Sequence, residues 1–238
     1  MKNLTVLVSL LGMILISSCS KNTAALDLSV LDDPTRPSEE KEQDAQRKSI
    51  DVYTFLGIEP GMTVADLWPG GGYNTHLLSR LMGKDGKVYC MMGFYAGGRY
   101  MMLDKIEARI VDSGLSNVEI FNTPADLPTN TIDVMVSIRN YHDADPPRDQ
   151  LIAELSAALK PGGVIGIVDV ATDRPGWDEE THRLNEQVVI DEFTAHGFAL
   201  EGSSDMLRNP NDDHSIMGFD EGRHTMDRYL LKFRKVVK

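Results

Sequence analysis

The chain has 238 residues, 42% of them hydrophobic and 25% charged, with 20 glycines, proportions that suit one ordinary globular domain with an appendage. Its formal net charge of −12 repels phosphate backbones and anionic headgroups alike, which argues against nucleic acid as a partner and against a charge-driven hold on a membrane.

Lys2 followed by the apolar run Leu4 to Ile16 has the form of a secretory signal and is too short to span a bilayer. The run ends Ile16-Ser17-Ser18-Cys19, which resembles the bacterial lipobox, where a cysteine is lipidated and becomes the new N-terminus. The alternative is an ordinary signal cleaved nearby. On the lipoprotein reading residues 1–18 are the signal peptide and Cys19 is the lipidation site. No intramolecular cysteine pair then remains, and Cys90 is a lone thiol buried in a strand. Ser20 after the cysteine, rather than Asp, resembles lipoproteins sent on to an outer membrane, so the expected location is the bacterial envelope, facing the periplasm. Residues 19–37 read as a tether and an extended lead-in, with no fixed structure from Lys21 to about Leu31.

Ser38, with Glu39 and Glu40 behind it, starts a helix that the spacing carries to Leu56, with Ile50, Tyr53 and Leu56 on a sheet and Arg47 in solvent, the alternative being that Arg47 points into the cleft. Thr63 to Leu67 is a strand that runs into Trp68-Pro69-Gly70-Gly71-Gly72-Tyr73, and a helix returns through Met82. Consecutive glycines let a backbone approach a ligand more closely than a Cβ permits, and the helix start behind them offers unpaired N–H groups. Further strands are expected at 87–91, 118–121, 132–138, 164–170, 198–203 and 228–236. Helices are expected near 100–113, 148–159 and 179–196. Strands that alternate with helices need crossovers, so the fold class is α/β, a mostly parallel sheet covered on both faces.

The glycine stretch fits a dinucleotide fingerprint poorly: Thr75 stands at the third glycine, and the second strand ends Tyr89-Cys90-Met91-Met92-Gly93 without the ribose-holding acid. It resembles motif I of the class I S-adenosylmethionine-dependent methyltransferases, with Asp66, Gly70 and Gly72 on the matching positions. The resemblance takes in Asp44 to Arg47, Asp133 and the Leu159-Lys160-Pro161-Gly162-Gly163 turn, and runs from residue 38 to 238. In Asn140-Tyr141-His142-Asp143 and Thr225-Met226-Asp227-Arg228-Tyr229 the chain is similar to a poorly characterised bacterial group of predicted methyltransferases. The resemblance implies a Rossmann-like seven-stranded sheet whose last strand runs antiparallel, with S-adenosylmethionine as cofactor and no metal. It implies that Gly70, Gly71, Gly72 and Tyr73 line the cofactor, and that Asp66 orders the loop or meets the ammonium group. Thr123 stands where an aspartate near the adenine is common, with Asp126 close by.

Asn140, His142 and Asp143 follow the fourth strand, on the acceptor side. His142 is the general-base candidate, because an imidazole titrates near neutrality and Asp143 beside it raises its basicity; the alternative is a loop histidine bonded to backbone. Asp169 faces the same cleft or caps its loop. The six histidines include no i, i+4 pair, so a metal site would have to be assembled from distant segments, and no G-x-S-x-G elbow supports a serine hydrolase. Against the resemblance stand Trp68 at a usual glycine, the missing ribose acid and Thr123. Two readings follow: a lipid-anchored methyltransferase acting on a small molecule or envelope component, or a non-catalytic lipoprotein that keeps the fold as a binding module.

Overall fold

A computed structural model of the chain describes residues 25–93, 102–217 and 225–237. The strands are β1 (Thr63–Leu67), β2 (Lys87–Met91), β3 (Val118–Phe121), β4 (Ile132–Ile138), β5 (Leu159–Val170), β6 (Trp177–Asp178), β7 (Arg183–Leu184), β8 (Phe198–Ser204) and β9 (Arg228–Lys235). Seven of them form one sheet in the order β3-β2-β1-β4-β5-β9-β8, and β6 pairs with β7 in a small separate hairpin. β1 pairs in parallel with both β2 and β4, β3 joins β2 and β5 joins β4 in the same sense, and β9 runs antiparallel to β5 and β8. This is the expected mostly parallel sheet. Its strand order reverses between β1 and β4, so their carboxyl ends open a crevice.

The helices are α1 (Ser38–Lys41), α2 (Asp44–Arg47), α3 (Ser49–Leu56), α4 (Tyr73–Met82), α5 (Leu103–Asp112), α6 (Asp149–Ala158) and α7 (Glu186–Ala195). One face of the sheet buries Val64, Val88, Val164 and Val168 against Leu56, Leu77 and Leu78 of α3 and α4. The other buries Ala65, Leu67, Ile165 and Ile167 against Leu155 of α6 and Phe193 of α7. Strands covered on both sides need no alternation, which is why they read in the sequence as continuous apolar runs. Cys90 is the buried strand thiol expected of it, 3.3 Å from Thr75 Oγ1.

The expected helix from Ser38 to Leu56 is three short ones. Arg36 holds both carboxylate oxygens of Asp44, at 2.6 and 2.9 Å, which fixes α2. Lys48 then turns into the left-handed region at φ +48°, where its ammonium reaches Met206 O at 2.7 Å, and α3 departs in a new direction onto β5. The lead-in is also more ordered than expected. Leu28–Asp32 forms a 3-10 turn capped by Asp27, and Leu26 and Val30 are buried in the core under α4. The signal segment and Cys19 lie outside the described residues, as does Tyr100, where the helix before Gly114 was expected to begin.

The stretch 179–196 is not one helix. Asn185 caps α7, its side chain accepting from Gln187 N at 2.9 Å, and the residues before it form the β6–β7 hairpin. Arg183 pulls that hairpin inward, because its guanidinium is fully buried and paired with Asp212 at 2.8 Å. Lys160-Pro161-Gly162-Gly163 is likewise inside β5, as a bulge where the register jumps from Ile132↔Leu159 to Val134↔Val164.

Candidate active site

The turn between β1 and α4 is tight because Gly72 N–H donates to Pro69 O at 2.9 Å, and it is tied sideways by Trp68 N–H to Met91 O at 2.8 Å. Gly70 and Gly72 take φ of +58° and +87°, a region that suits glycine. A Cβ on Gly70 or Gly71 would meet nothing within 4 Å. Among the described residues the amides of these two glycines find no acceptor in the protein, so the turn presents an uncrowded face with two donors. Gly72 differs. A Cβ there would lie 2.7 Å from Arg109 Cδ, so the close approach that the sequence suggests for a ligand is made by the α5 side chain. Arg109 Nε donates to Gly71 O at 2.7 Å while its guanidinium pairs with Glu40 of α1, a clasp across one side of the turn.

Three other expected cofactor residues face protein partners. Asp66 is 1% exposed and accepts Thr75 Oγ1 at 2.7 Å, so of its two alternative roles the contact seen is the one that orders the loop. Burial raises its carboxyl to about 7, against the opposing pull of the Thr75 hydrogen bonds. Tyr73 donates its hydroxyl to Asp44 Oδ1 at 2.6 Å and lies under the Arg36 and Arg47 guanidinia, with their carbons 5.3 and 4.2 Å from the ring centre. Thr123 gives both its N–H and its hydroxyl to Asp126 Oδ2, at 2.9 and 2.8 Å.

Across the crevice, β4 is followed by Arg139 at φ +62°, and Asn140 Nδ2 donates to Trp68 O at 3.1 Å and Ile138 O at 2.8 Å, stapling the end of β4 to the start of the glycine turn. His142 follows. Its N–H donates to Asp169 Oδ2 at 3.0 Å and its Nδ1 lies 2.6 Å from Asp169 Oδ1, so Asp169, itself fully buried at the end of β5, holds both the loop and the ring. Burial works against the imidazolium, but Asp169 and then Asp143 overcome it, so the His142 pKa lies above the usual histidine value. The outer nitrogen, Nε2, faces Asp143 Oδ1 at 3.5 Å, and that oxygen is 2.9 Å from His182 Nε2. Trp177 stacks on His142 with ring centres 5.7 Å apart, and His182 stands edge-on to both rings.

Of the residues singled out from the sequence, the structure brings His142 and Asp143 together with His182 and Trp177, which the sequence reading does not single out, while Asn140 bonds to the glycine turn instead. His182 and Trp177 sit on the β6–β7 hairpin, some forty residues downstream, and no spacing rule links them to His142. A second missed feature is a basic recess lined by Arg47, Arg139 and Arg228 together with Ser49 and Asn74. Arg47 thus faces the recess instead of solvent, because the break at Lys48 turns α2 toward the sheet end. Burial, then Arg139 and Arg47, bring Arg228 down to about 10, with Asp227 opposing. Among the described residues no carboxylate lines the recess, so its field suits an anionic group.

No family model matches the chain. Its structure is similar to that of an S-adenosylmethionine-dependent methyltransferase from Aquifex aeolicus, with TM-score 0.63 and 21% identity over 84% of this chain and 99% of that one. It is also similar to the 1,6-didemethyltoxoflavin-N1-methyltransferase of Burkholderia thailandensis, with TM-score 0.59 and 17% identity over 84% and 82%. A third likeness is the cyclase SpnF, with TM-score 0.62 and 18% identity over 82% of each chain. The fold is that of the class I S-adenosylmethionine-dependent methyltransferases. The cyclase among these neighbours shows that this fold does not by itself fix a reaction.

Proposed function

We propose that the protein transfers a methyl group from S-adenosylmethionine to a small-molecule or envelope acceptor, as a lipoprotein held through Cys19 at the bacterial envelope. The observation that carries this reading is the uncrowded, two-donor face of Gly70 and Gly71 at the strand-order reversal of a methyltransferase fold. The Burkholderia thailandensis protein that shares the fold is one with S-adenosylhomocysteine bound.

Fit to the cofactor is good at one end. The Gly70 and Gly71 amides suit a polar or negative end group, and the arginine recess suits a carboxylate or phosphate of cofactor or acceptor. The bound cofactor would supply an electrophilic methyl on a sulfonium. The protein's part is alignment and exclusion of water. Asn140 fixes the distance between the two sides of the crevice, and His142 and Asp143, backed by Asp169, border the acceptor and receive any proton it sheds.

One observation favours the second reading, a non-catalytic binding module. β2 leads into Met92 and Gly93 with no carboxylate to hold a ribose, and the Arg109–Glu40 clasp already covers Gly72. Calorimetry of the folded chain with S-adenosylmethionine and with S-adenosylhomocysteine separates the two. Saturable heat is expected, stronger for the product. No heat at millimolar ligand from protein with native circular dichroism would leave the module.

A further inference from the structure

We propose that His142, Asp143 and His182 form a binding site for a divalent transition-metal ion of the zinc, cobalt or nickel class. The inference goes beyond methyl transfer and needs no cofactor to be tested. One ring nitrogen from each histidine and one oxygen of Asp143 lie within 4.8 Å of one another. Donors about 2.0–2.1 Å from a tetrahedral ion are about 3.3–3.4 Å apart. His142 Nε2 and Asp143 Oδ1, at 3.5 Å, already stand at that spacing. His182 Nε2, at 2.9 Å from the same oxygen, is in hydrogen-bond contact and would withdraw from it by about half an ångström while swinging toward the His142 nitrogen, the pair that sets the 4.8 Å span of the cluster.

The support behind these donors is what distinguishes the cluster from two histidines sharing a hydrogen bond. Metal-ligating histidines give their other ring N–H to a carboxylate or carbonyl, which fixes the tautomer and aims the lone pair. Asp169 does this for His142 at 2.6 Å, and it is locked in turn by the His142 and Val170 amides at 3.0 and 2.9 Å. A buried carboxylate so engaged orients the ring without competing as a ligand. His182 sits at φ +56°, a conformation that non-glycine residues keep only where their surroundings impose it. Here the hairpin ends, pinned by the buried Arg183–Asp212 pair, impose it and deliver the imidazole to Asp143. Trp177 walls one side against both rings, whereas the Asp143 side chain is 39% exposed and leaves a path for an outside ligand. An ion at this place would lower the pKa of a coordinated hydroxyl or acid, whose proton passes to water, so the proton-accepting role of His142 and Asp143 in methyl transfer would belong to the metal-free protein.

The test is a titration of the full-length chain, in detergent and freed of metal by chelator, with cobalt(II) chloride alone. The expected result is one ion per chain, with intense visible d–d bands of four- or five-fold coordination that zinc displaces. His182→Ala and Asp143→Asn are both partly exposed positions, and each should abolish the bands while native circular dichroism is kept. Asp169→Asn, a positioning change, should weaken binding about 10- to 100-fold with the bands retained. A wild-type chain showing only the pale spectrum of hexaaquo cobalt, or binding that survives both His182→Ala and Asp143→Asn unchanged, overturns the site. Because no S-adenosylmethionine is present, such a failure is independent of the methyl-transfer reading.

Discussion

Asp66 is the residue where burial and charge conflict most directly. Its carboxyl has a folded pKa of about 7, well above the usual carboxylate range, because desolvation outweighs the Thr75 hydrogen bonds. With the folded value above the unfolded one, the native state binds the proton more tightly. The stability this confers is present in full below about pH 4 and is lost as pH rises through about 7. Asp66→Asn should therefore flatten the pH dependence of unfolding between pH 4 and 8, and urea titrations at unit steps of pH measure it. Equal slopes in the two proteins would show that Asp66 is not buried in its charged form. The glycines beside it make a second contrast. Gly72→Ala forces a Cβ to 2.7 Å from Arg109 Cδ at φ +87°, and should cost about 1–3 kcal/mol as the clasp opens. Gly70→Ala meets nothing, so it should cost only the backbone strain of about 1–2 kcal/mol and act instead on S-adenosylhomocysteine affinity. Thermal melts set beside calorimetry separate the two; a Gly72→Ala protein as stable as wild type would remove Arg109 from the picture. Asp66, Gly70 and His142 are legible in the sequence because their place follows from the local strand-turn pattern. Their partners are not. Nothing local says that Arg109 rather than a ligand covers Gly72, or that Asp169 reaches His142.

Among the elements, the bounds of β1 to β4 match the sequence reading, since apolar runs between turn residues leave a parallel strand little freedom. Two of the departures lie where tertiary contacts override a helical pattern. Lys48 in a left-handed conformation carries no signal that distinguishes it from a helix interior, and Glu179 and Glu180 suit a helix start although the working cap is Asn185. The break at Lys48 also decides packing, because it lets α3 lie directly on β5. Gly166 is the contact point: a Cβ there would stand 2.4 Å from Leu56 Cδ1. Gly166→Ala should destabilise by about 1–3 kcal/mol through overpacking, and Leu56→Ala by about 2–5 kcal/mol through the void it leaves. In the double variant the new methyl enters that void, so the combined loss should fall short of the sum by at least about 1 kcal/mol. Strict additivity in denaturant unfolding would mean that α3 does not rest on Gly166.

For the molecule as a whole, the proposed envelope location raises the question of what would hold a chain of net charge −12 at a membrane. Its charge opposes anionic headgroups, and among the described residues no helix is long and apolar enough to cross a bilayer. On the proposed reading the hold is covalent lipid at Cys19. Leu26 and Val30 are buried in the core, and Asp33 binds Arg80 and His76 on α4, so the described part of the lead-in belongs to the domain. Replacing Cys19 with alanine should move the protein from the membrane to the soluble fraction on cell fractionation, with its melting temperature unchanged. A chain starting at residue 38 should instead lose stability, since Leu26, Val30 and the Asp33 pairs leave with the segment. If the alanine variant still sediments with membranes in high salt, the attachment lies elsewhere on the chain and lipid at Cys19 is not the hold.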